Sequence, residues 1–225
     1  MNRWESYAKK NAEYYILTND KVDYSTPEGQ AYFFKTGEEF TRYSLDKVEK
    51  YLQARGRALE IGCGIGRLTF PHSYLFEEIH AVDISMTMLT KLNKLATERS
   101  VYNIKTFLSD DAWDQPEIFN YAYSFIVFQH IESFRIIEDY IQKIARSLKL
   151  SGIAQLQFDT RHQSLPYKIR NIIPEFLLPR TYRKGVRRIR RNPEVLRNLF
   201  MKFGLHIIKE ENANTENHTF FLKKR

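Results

Sequence analysis

Short apolar runs, each closed by a turn, dominate the middle of the chain. Ala58 to Ile61 reads as a buried strand that breaks into a glycine-rich turn at Gly62, Gly64 and Gly66, with a helical stretch starting near Arg67. Glu78-Ile79-His80-Ala81-Val82 reads as a second strand ending in Asp83, and Ile104 to Leu108 as a third, ending in Ser109-Asp110-Asp111. Runs of this length that are apolar rather than alternating suit strands covered on both faces. Further on, Pro193 to Gly204 predicts a helix with proline in its first turn and glycine at its C-terminal cap. The first 50 residues carry two aromatic stripes, Trp4, Tyr7, Tyr14, Tyr15 and Leu17, then Tyr32, Phe33, Phe34, Phe40 and Tyr43. They predict helices lying over the strand ends, with the stripes expected mainly to pack a core.

The glycine turn is where chemistry is expected. Glycine there allows positive φ and lets a ligand approach without meeting a Cβ. An open α/β sheet binds its ligand in the crevice beyond the carboxyl ends of its strands. A dinucleotide fingerprint would put its third glycine three residues after the second. Here Arg67 holds that position and the glycine comes one residue early, at Gly66. The pattern is E-x-G-x-G-x-G, with Glu60 two residues before the first glycine. A pyrophosphate tolerates an acid there poorly, whereas a ligand with a cationic amino-acid end is drawn to it. Asp83 falls 21 residues after Gly62, the distance at which an acid grips ribose hydroxyls.

These residues resemble the class I S-adenosylmethionine-dependent methyltransferases. Leu59-Glu60-Ile61-Gly62-Cys63-Gly64-Ile65-Gly66 is similar to that family's first motif, Tyr121 to Ile131 to its fourth strand and following turn, and Gly152 to Phe158 to its fifth strand. The resemblance spans residues 40–158 well and the last 25 loosely. It implies a Rossmann-like doubly wound α/β sheet of about seven mostly parallel strands with an antiparallel C-terminal strand. An N-terminal helical cap over 1–50 would precede a methyltransferase domain over 51–225, with an insertion at 160–192 after the fifth strand. S-adenosylmethionine is the implied cofactor. Its contacts would come from Glu60, Gly62, Cys63, Gly64, Gly66, Asp83, Ile84, Met88, Asp110, Asp111, Ala112, Phe128 and Gln129. Asp83 would hold both ribose hydroxyls, and the Asp110/Asp111 turn the adenine amino group, with Asp111-Ala112 the more usual match. Thr36 to Phe40 resembles a segment that folds across the cofactor in several members, bringing Phe40 or Tyr43 over it.

Charge is concentrated in one place. Between Thr160 and Arg191 stand ten Lys and Arg against the single acid Glu175, a net +9, which leaves the rest of the chain at −1 of the formal +8. The same segment holds the apolar stretch Ile172-Ile173-Pro174-Glu175-Phe176-Leu177-Leu178-Pro179. Three readings stay open: a solvated cover, an acceptor cap using Arg161, Arg180, Arg183, Arg187 and Arg188, or a contact with RNA or a membrane surface. The cap would suit an anionic small-molecule, lipid-linked or saccharide-linked acceptor. Tyr182 is the one aromatic within the arginine run, so base stacking is thinly supported.

Composition fits one enzyme-sized domain: 225 residues, 43% hydrophobic and 14% aromatic. The lone Cys63 excludes an internal disulfide and, with no apolar segment of the roughly 20 residues a membrane span needs and no secretory h-region at Met1-Asn2-Arg3, predicts a cytoplasmic protein. Methyl transfer asks mostly for positioning, which contributes about 7–11 kcal/mol. A base is needed when the acceptor is a hydroxyl, and His130, then His162, are the candidates. O-methylation is the expectation. An RNA substrate and a non-catalytic cofactor-binding module are the alternatives. No Asn-Pro-Pro-aromatic or Pro-Cys sequence occurs, which disfavours adenine-N6 and cytosine-C5 chemistry, and no Cys/His spacing suggests a metal.

Overall fold

A computed structural model describes residues 3–178 and 187–225. Seven strands form one sheet: β1 (Arg57–Ile61), β2 (Glu78–Asp83), β3 (Ile104–Leu108), β4 (Phe119–Ser124), β5 (Leu148–Phe158), β6 (Leu205–Glu211) and β7 (His218–Lys224), in the order β3-β2-β1-β4-β5-β7-β6. The pairs from β3 to β5 are parallel, and β7 runs antiparallel to both its neighbours. Helices α3 (Thr69–Ser73) and α4 (Met86–Glu98) return the chain toward one edge, and α5 (Phe134–Ser147) toward the other. The order therefore reverses between β1 and β4, and a crevice opens beyond their carboxyl ends.

Alternation along the strands splits the core in two. Leu59, Ile61, Phe119, Ala122 and Phe158 face α5 and α7 (Pro193–Lys202), and pack with Ile137, Ile141 and Phe200. Ala58, Ile79, Tyr121 and Tyr123 point the other way, with Leu89, Leu92 and Phe221. The two ends of α7 follow the sequence reading. Asn192 caps it by accepting from Glu194 N–H, Pro193 opens it, and Gly204 follows its end at φ +74.

The N-terminal segment folds as α1 (Arg3–Leu17) and α2 (Pro27–Asp46). Thr26 caps α2 through the Gly29 N–H, and its Phe33 and Phe34 pack with Phe70 and Met88. In α1, Asn11 takes an extended conformation that divides the helix in two, and its side-chain oxygen accepts from Tyr14 N–H at 2.9 Å, starting the second part. Just before the break, the Ala8 carbonyl accepts from Lys91 Nζ of α4 at 2.8 Å. The first part of α1 is fastened to the start of α4. Glu5 accepts from Ser85 Oγ at 2.7 Å, from Thr87 N–H at 3.2 Å and from Thr87 Oγ1. A carboxylate at a helix N-terminus also meets the favourable end of the helix dipole.

The hydrogen bonds from Thr87 and Ser85 hold the Glu5 carboxyl down at about 2. A depressed acid stabilises the docked helix above its unfolded value near 4.5 and loses that contribution as pH falls through about 2. Amide exchange in residues 3–10 is therefore expected to accelerate between about pH 4 and pH 2. In Glu5→Gln that acid step disappears and exchange is already several-fold faster at neutral pH. A variant that exchanges like the wild type throughout contradicts the latch.

Candidate active site

The crevice holds a cavity of about 480 Å³, within the about 300–1,000 Å³ usual for small-molecule pockets. Its floor is the turn after β1. Gly62 N–H and Cys63 N–H both donate to the Val82 carbonyl, at 2.7 and 3.1 Å, which fastens the turn to β2. Gly62 has φ +78, and a Cβ there would sit 2.2 Å from Val127 Cγ2. Gly64 has φ +53 and lies under Ile16 Cδ1 of α1, which a Cβ would meet at 2.7 Å. Neither position accepts a larger residue without a shift of its neighbour.

Asp83 ends β2 inside the cavity. One carboxylate oxygen accepts from Gly64 N–H and the other from Ser85 N–H, each at 2.9 Å. Burial raises its pKa, and those backbone donors pull it back. The Ile84 N–H bonds it as well, and a carboxylate's roughly four acceptor positions leave room beside these three donors for a ligand hydroxyl. Beyond β3, Ser109 and Asp110 also line the cavity. Asp111 does not: its Oδ2 turns back to accept from Leu108 N–H at 2.7 Å, and it closes the turn. The pocket-facing acid is Asp110, not the Asp111-Ala112 pair favoured by the family pattern.

Glu60 differs from its expected place. It is 3% exposed and lies beneath the turn, accepting from Thr69 Oγ1 at 2.7 Å and Tyr123 OH at 3.0 Å, rather than lining the cavity. Burial pushes its pKa up to about 7, against those two donors and the Arg67 cation. Arg67 does line the cavity. It is 8% exposed, its Nε has no hydrogen-bond partner, and burial lowers its pKa. A guanidinium held dry with an open donor is a ready anion site. Sequence reading passed over Arg67, although its place one residue after Gly66 was the available signal.

After β4 the chain takes a strained path. Ile126, a β-branched residue, has φ +60, with its N–H donating to Gln157 Oε1 at 3.0 Å. This turn puts Phe125, Ile126 and Val127 in the cavity wall, and it buries Phe128 against Phe158 and Gln129 completely. The wall residues are thus those before the expected Phe128 and Gln129. Cys63 and Gly66 also lie outside the lining, and burial raises the Cys63 thiol well above its ordinary value. Ile84 and Met88 do line it.

The roof is α1, not residues 36–43. Trp4, Tyr15 and Ile16 line the cavity, whereas Phe40 stands one layer behind, edge-on to Phe125 at 4.8 Å, and Tyr43 is exposed. Part of the first aromatic stripe is therefore cavity wall rather than core. Trp4 meets the His130 ring at 5.6 Å, edge to face. His130 also lines the cavity, and its Nδ1–H donates to the Arg187 carbonyl at 3.2 Å, so Nε2 carries the lone pair. Burial depresses the His130 pKa to about 4. His162 is exposed and lies outside the lining, with its carbonyl accepting from Arg190 at 2.6 Å. It does not reach the site.

The insertion leaves β5 and returns against this rim. Ile189 N–H donates to the Gln129 carbonyl at 2.7 Å, and Arg191 donates to the Ile131 and Glu132 carbonyls at 2.6 and 2.8 Å. Arg161 clasps buried Asp159 at 2.6 Å and shares Glu216 with Arg188, at 3.0 and 3.4 Å. These two arginines bind the insertion to the protein itself. Arg180 and Arg183 lie outside the described residues. Among the described residues no group of three His, Cys, Asp or Glu is placed to hold a metal ion, and no helix is long and apolar enough to cross a membrane.

Comparison with known proteins agrees with this layout. Residues 58–152 match the family model of a methyltransferase domain. Among solved structures, magnesium protoporphyrin IX methyltransferase from Synechocystis with bound S-adenosylhomocysteine superposes with a TM-score of 0.68 at 14% identity, covering 99% of this chain and 96% of that one. An S-adenosylmethionine-dependent methyltransferase from Clostridium acetobutylicum gives 0.64 at 16% identity over 99% of each chain. One from Methanosarcina mazei gives 0.63 at 16% identity, over 79% of this chain and 96% of that one. No curated protein sequence matches the chain significantly.

The close approach at Gly62 is directly measurable. Gly62→Ala is expected to cost about 2–3 kcal/mol through strain and the clash with Val127. For a chain of this size that lowers Tm by about 4–12 °C. An unchanged melting temperature would mean that the turn is not packed as described.

Proposed function

We propose that this chain, whose residues 58–152 match a methyltransferase domain, is a class I S-adenosylmethionine-dependent methyltransferase that methylates a small or carrier-linked acceptor at an oxygen that arrives already ionised. The observation that carries the first part is the meeting of three features in one cavity: the Asp83 carboxylate, Asp110 and the Arg67 guanidinium with its unpartnered Nε. They fit the cofactor's three polar ends. Asp83 would hold the ribose hydroxyls, Asp110 the adenine edge, and Arg67 the amino-acid carboxylate, with Ile84 and Val127 as apolar walls. When bound, S-adenosylmethionine supplies a methyl group already activated on a sulfonium. Glu60 lies beneath the turn with its carboxyl pushed up to about 7, so it is only partly ionised at neutral pH.

The reading of the acceptor rests on His130. A base is most effective with a pKa near the working pH, and a histidine held at about 4 is a poor partner for an alcohol proton. An acceptor oxygen that is already a carboxylate has no proton to lose and needs only to be aimed. His130 Nε2 and Trp4 would form the wall against which it is aimed, and cations of the basic insertion would draw it in. Arg161 and Arg188 are engaged with Asp159 and Glu216, so they offer little to an RNA backbone.

The test follows transfer of a labelled methyl group from S-adenosylmethionine into extract fractions of acidic small molecules and carrier-linked acids. Label is expected in a base-labile ester, with kcat flat from about pH 6 to 8, because a carboxylate is ionised throughout and His130 protonates only near pH 4. His130→Asn should lower kcat less than about tenfold, against the about 10²–10⁴ that loss of a general base costs. Arg67→Met should raise KM for S-adenosylmethionine about 10- to 100-fold, the worth of a hydrogen bond to a charged group. Label in amines, or an acid limb near pH 6.5 that His130→Asn removes, would overturn the acceptor reading. No transfer to any fraction would overturn the activity.

A further inference from the structure

We propose that residues 165–177 are a membrane-docking surface that seats this protein on an anionic bilayer, with the mouth of the active site beside the lipid headgroups. Within the insertion, α6 (Leu165–Ile172) has Leu165, Ile169 and Ile172 four and three residues apart, on one helix face. All three are exposed, to 70, 50 and 82%. The short turn Glu175–Leu177 follows, with Phe176 and Leu177 exposed to 78 and 64%. Large apolar side chains presented together on a surface mark a contact site.

The patch is held outward rather than left loose. Tyr167 and Leu178 are buried on the inner side of the same segment. The Tyr167 hydroxyl accepts from Arg190 N–H at 3.0 Å, and the Arg190 guanidinium lies over its ring at 4.5 Å. The segment thus has an inner edge docked on the return leg and an outer edge of bare apolar side chains.

Charge selects the occupant. Lys168 is exposed beside the apolar row, and the sequence adds Arg170, Arg180, Arg183, Lys184 and Arg187, against Glu175 as the one acid of the insertion. Exposed apolar side chains in a segment this rich in Lys and Arg suit a helix lying in the plane of an anionic membrane. A nucleic acid would use the cations and leave five large apolar side chains in water. Protein partners would need acidic apolar surfaces, for which nothing in the fold argues. The legs of the insertion bond to Gln129, His130, Ile131 and Glu132 at the cavity rim, so docking this face brings the rim to the bilayer. The inference stands apart from the methyl-transfer reading, since it concerns a different surface.

The test is co-sedimentation of the full chain with vesicles of phosphatidylcholine alone or with about one quarter phosphatidylglycerol, at low and high salt. The protein is expected to bind the anionic vesicles, weakly bind the neutral ones, and dissociate as salt rises. The triple variant Ile172→Ser, Phe176→Ser, Leu177→Ser removes only exposed side chains, and should bind anionic vesicles at least about tenfold more weakly. Unchanged calorimetric binding of S-adenosylhomocysteine by that variant shows that it is folded. No sedimentation of the wild type with anionic vesicles overturns the proposal. So does equal binding by the triple variant, which would leave charge alone at work. A concentration-dependent dimer that the triple variant dissolves, without vesicle binding, would assign the patch to a second copy and equally overturn it.

Discussion

The Asp83 carboxylate stands between the Gly64 N–H and the Ser85 N–H, at 2.9 Å from each, and everything at the site is arranged around that clasp. It exists because β1 and β2 lie in parallel register, Ile61 opposite Val82, so that the turn leaving one strand meets the acid ending the other. Gly62 and Cys63 complete the joint through the Val82 carbonyl. A buried carboxylate is costly without donors, and the backbone N–H groups of Gly64, Ser85 and Ile84 make this one tolerable. The same clasp sets the start of α4 through Ser85, the residue to which Glu5 is also bonded. Floor, the wall at the end of β2 and roof therefore share one anchor.

The second organising feature is a buried acid and a buried cation on either side of the glycine turn, the acid pushed up to about 7 by its burial. Glu60 lies below it, hydrogen-bonded by Thr69 and Tyr123, and Arg67 lies at its end with an open donor. The site thereby presents a cation to the cavity while the acid acts from beneath.

Much of this was legible in the chain. Strands covered on both faces appear as apolar runs closed by glycine or acid, and β1 to β3 fall at the expected positions within a residue. The caps of α7 at Asn192, Pro193 and Gly204 are local chemistry and were equally readable. What escaped depends on contacts between distant parts. The roof is α1 because Asn11 breaks the helix and because Glu5 bonds Thr87, 82 positions away. The wall after β4 begins at Phe125 because Ile126 adopts φ +60, a strained turn no propensity suggests. Asp110 faces the cavity and Asp111 does not, a choice made by one hydrogen bond to Leu108. The arginines of the insertion read as one charge cluster, yet Arg161 and Arg188 are bound to Asp159 and Glu216.

The central claim is that the acid at the end of β2 holds the sugar of a nucleoside cofactor. Calorimetric titration of S-adenosylhomocysteine against wild type and Asp83→Ala tests it most directly, with Asp111→Ala as the comparison. The account predicts binding by the wild type, loss of about 10- to 100-fold in affinity on removing Asp83, and little change on removing Asp111. Absence of binding by the wild type, or an Asp83→Ala protein that binds as well, would contradict it.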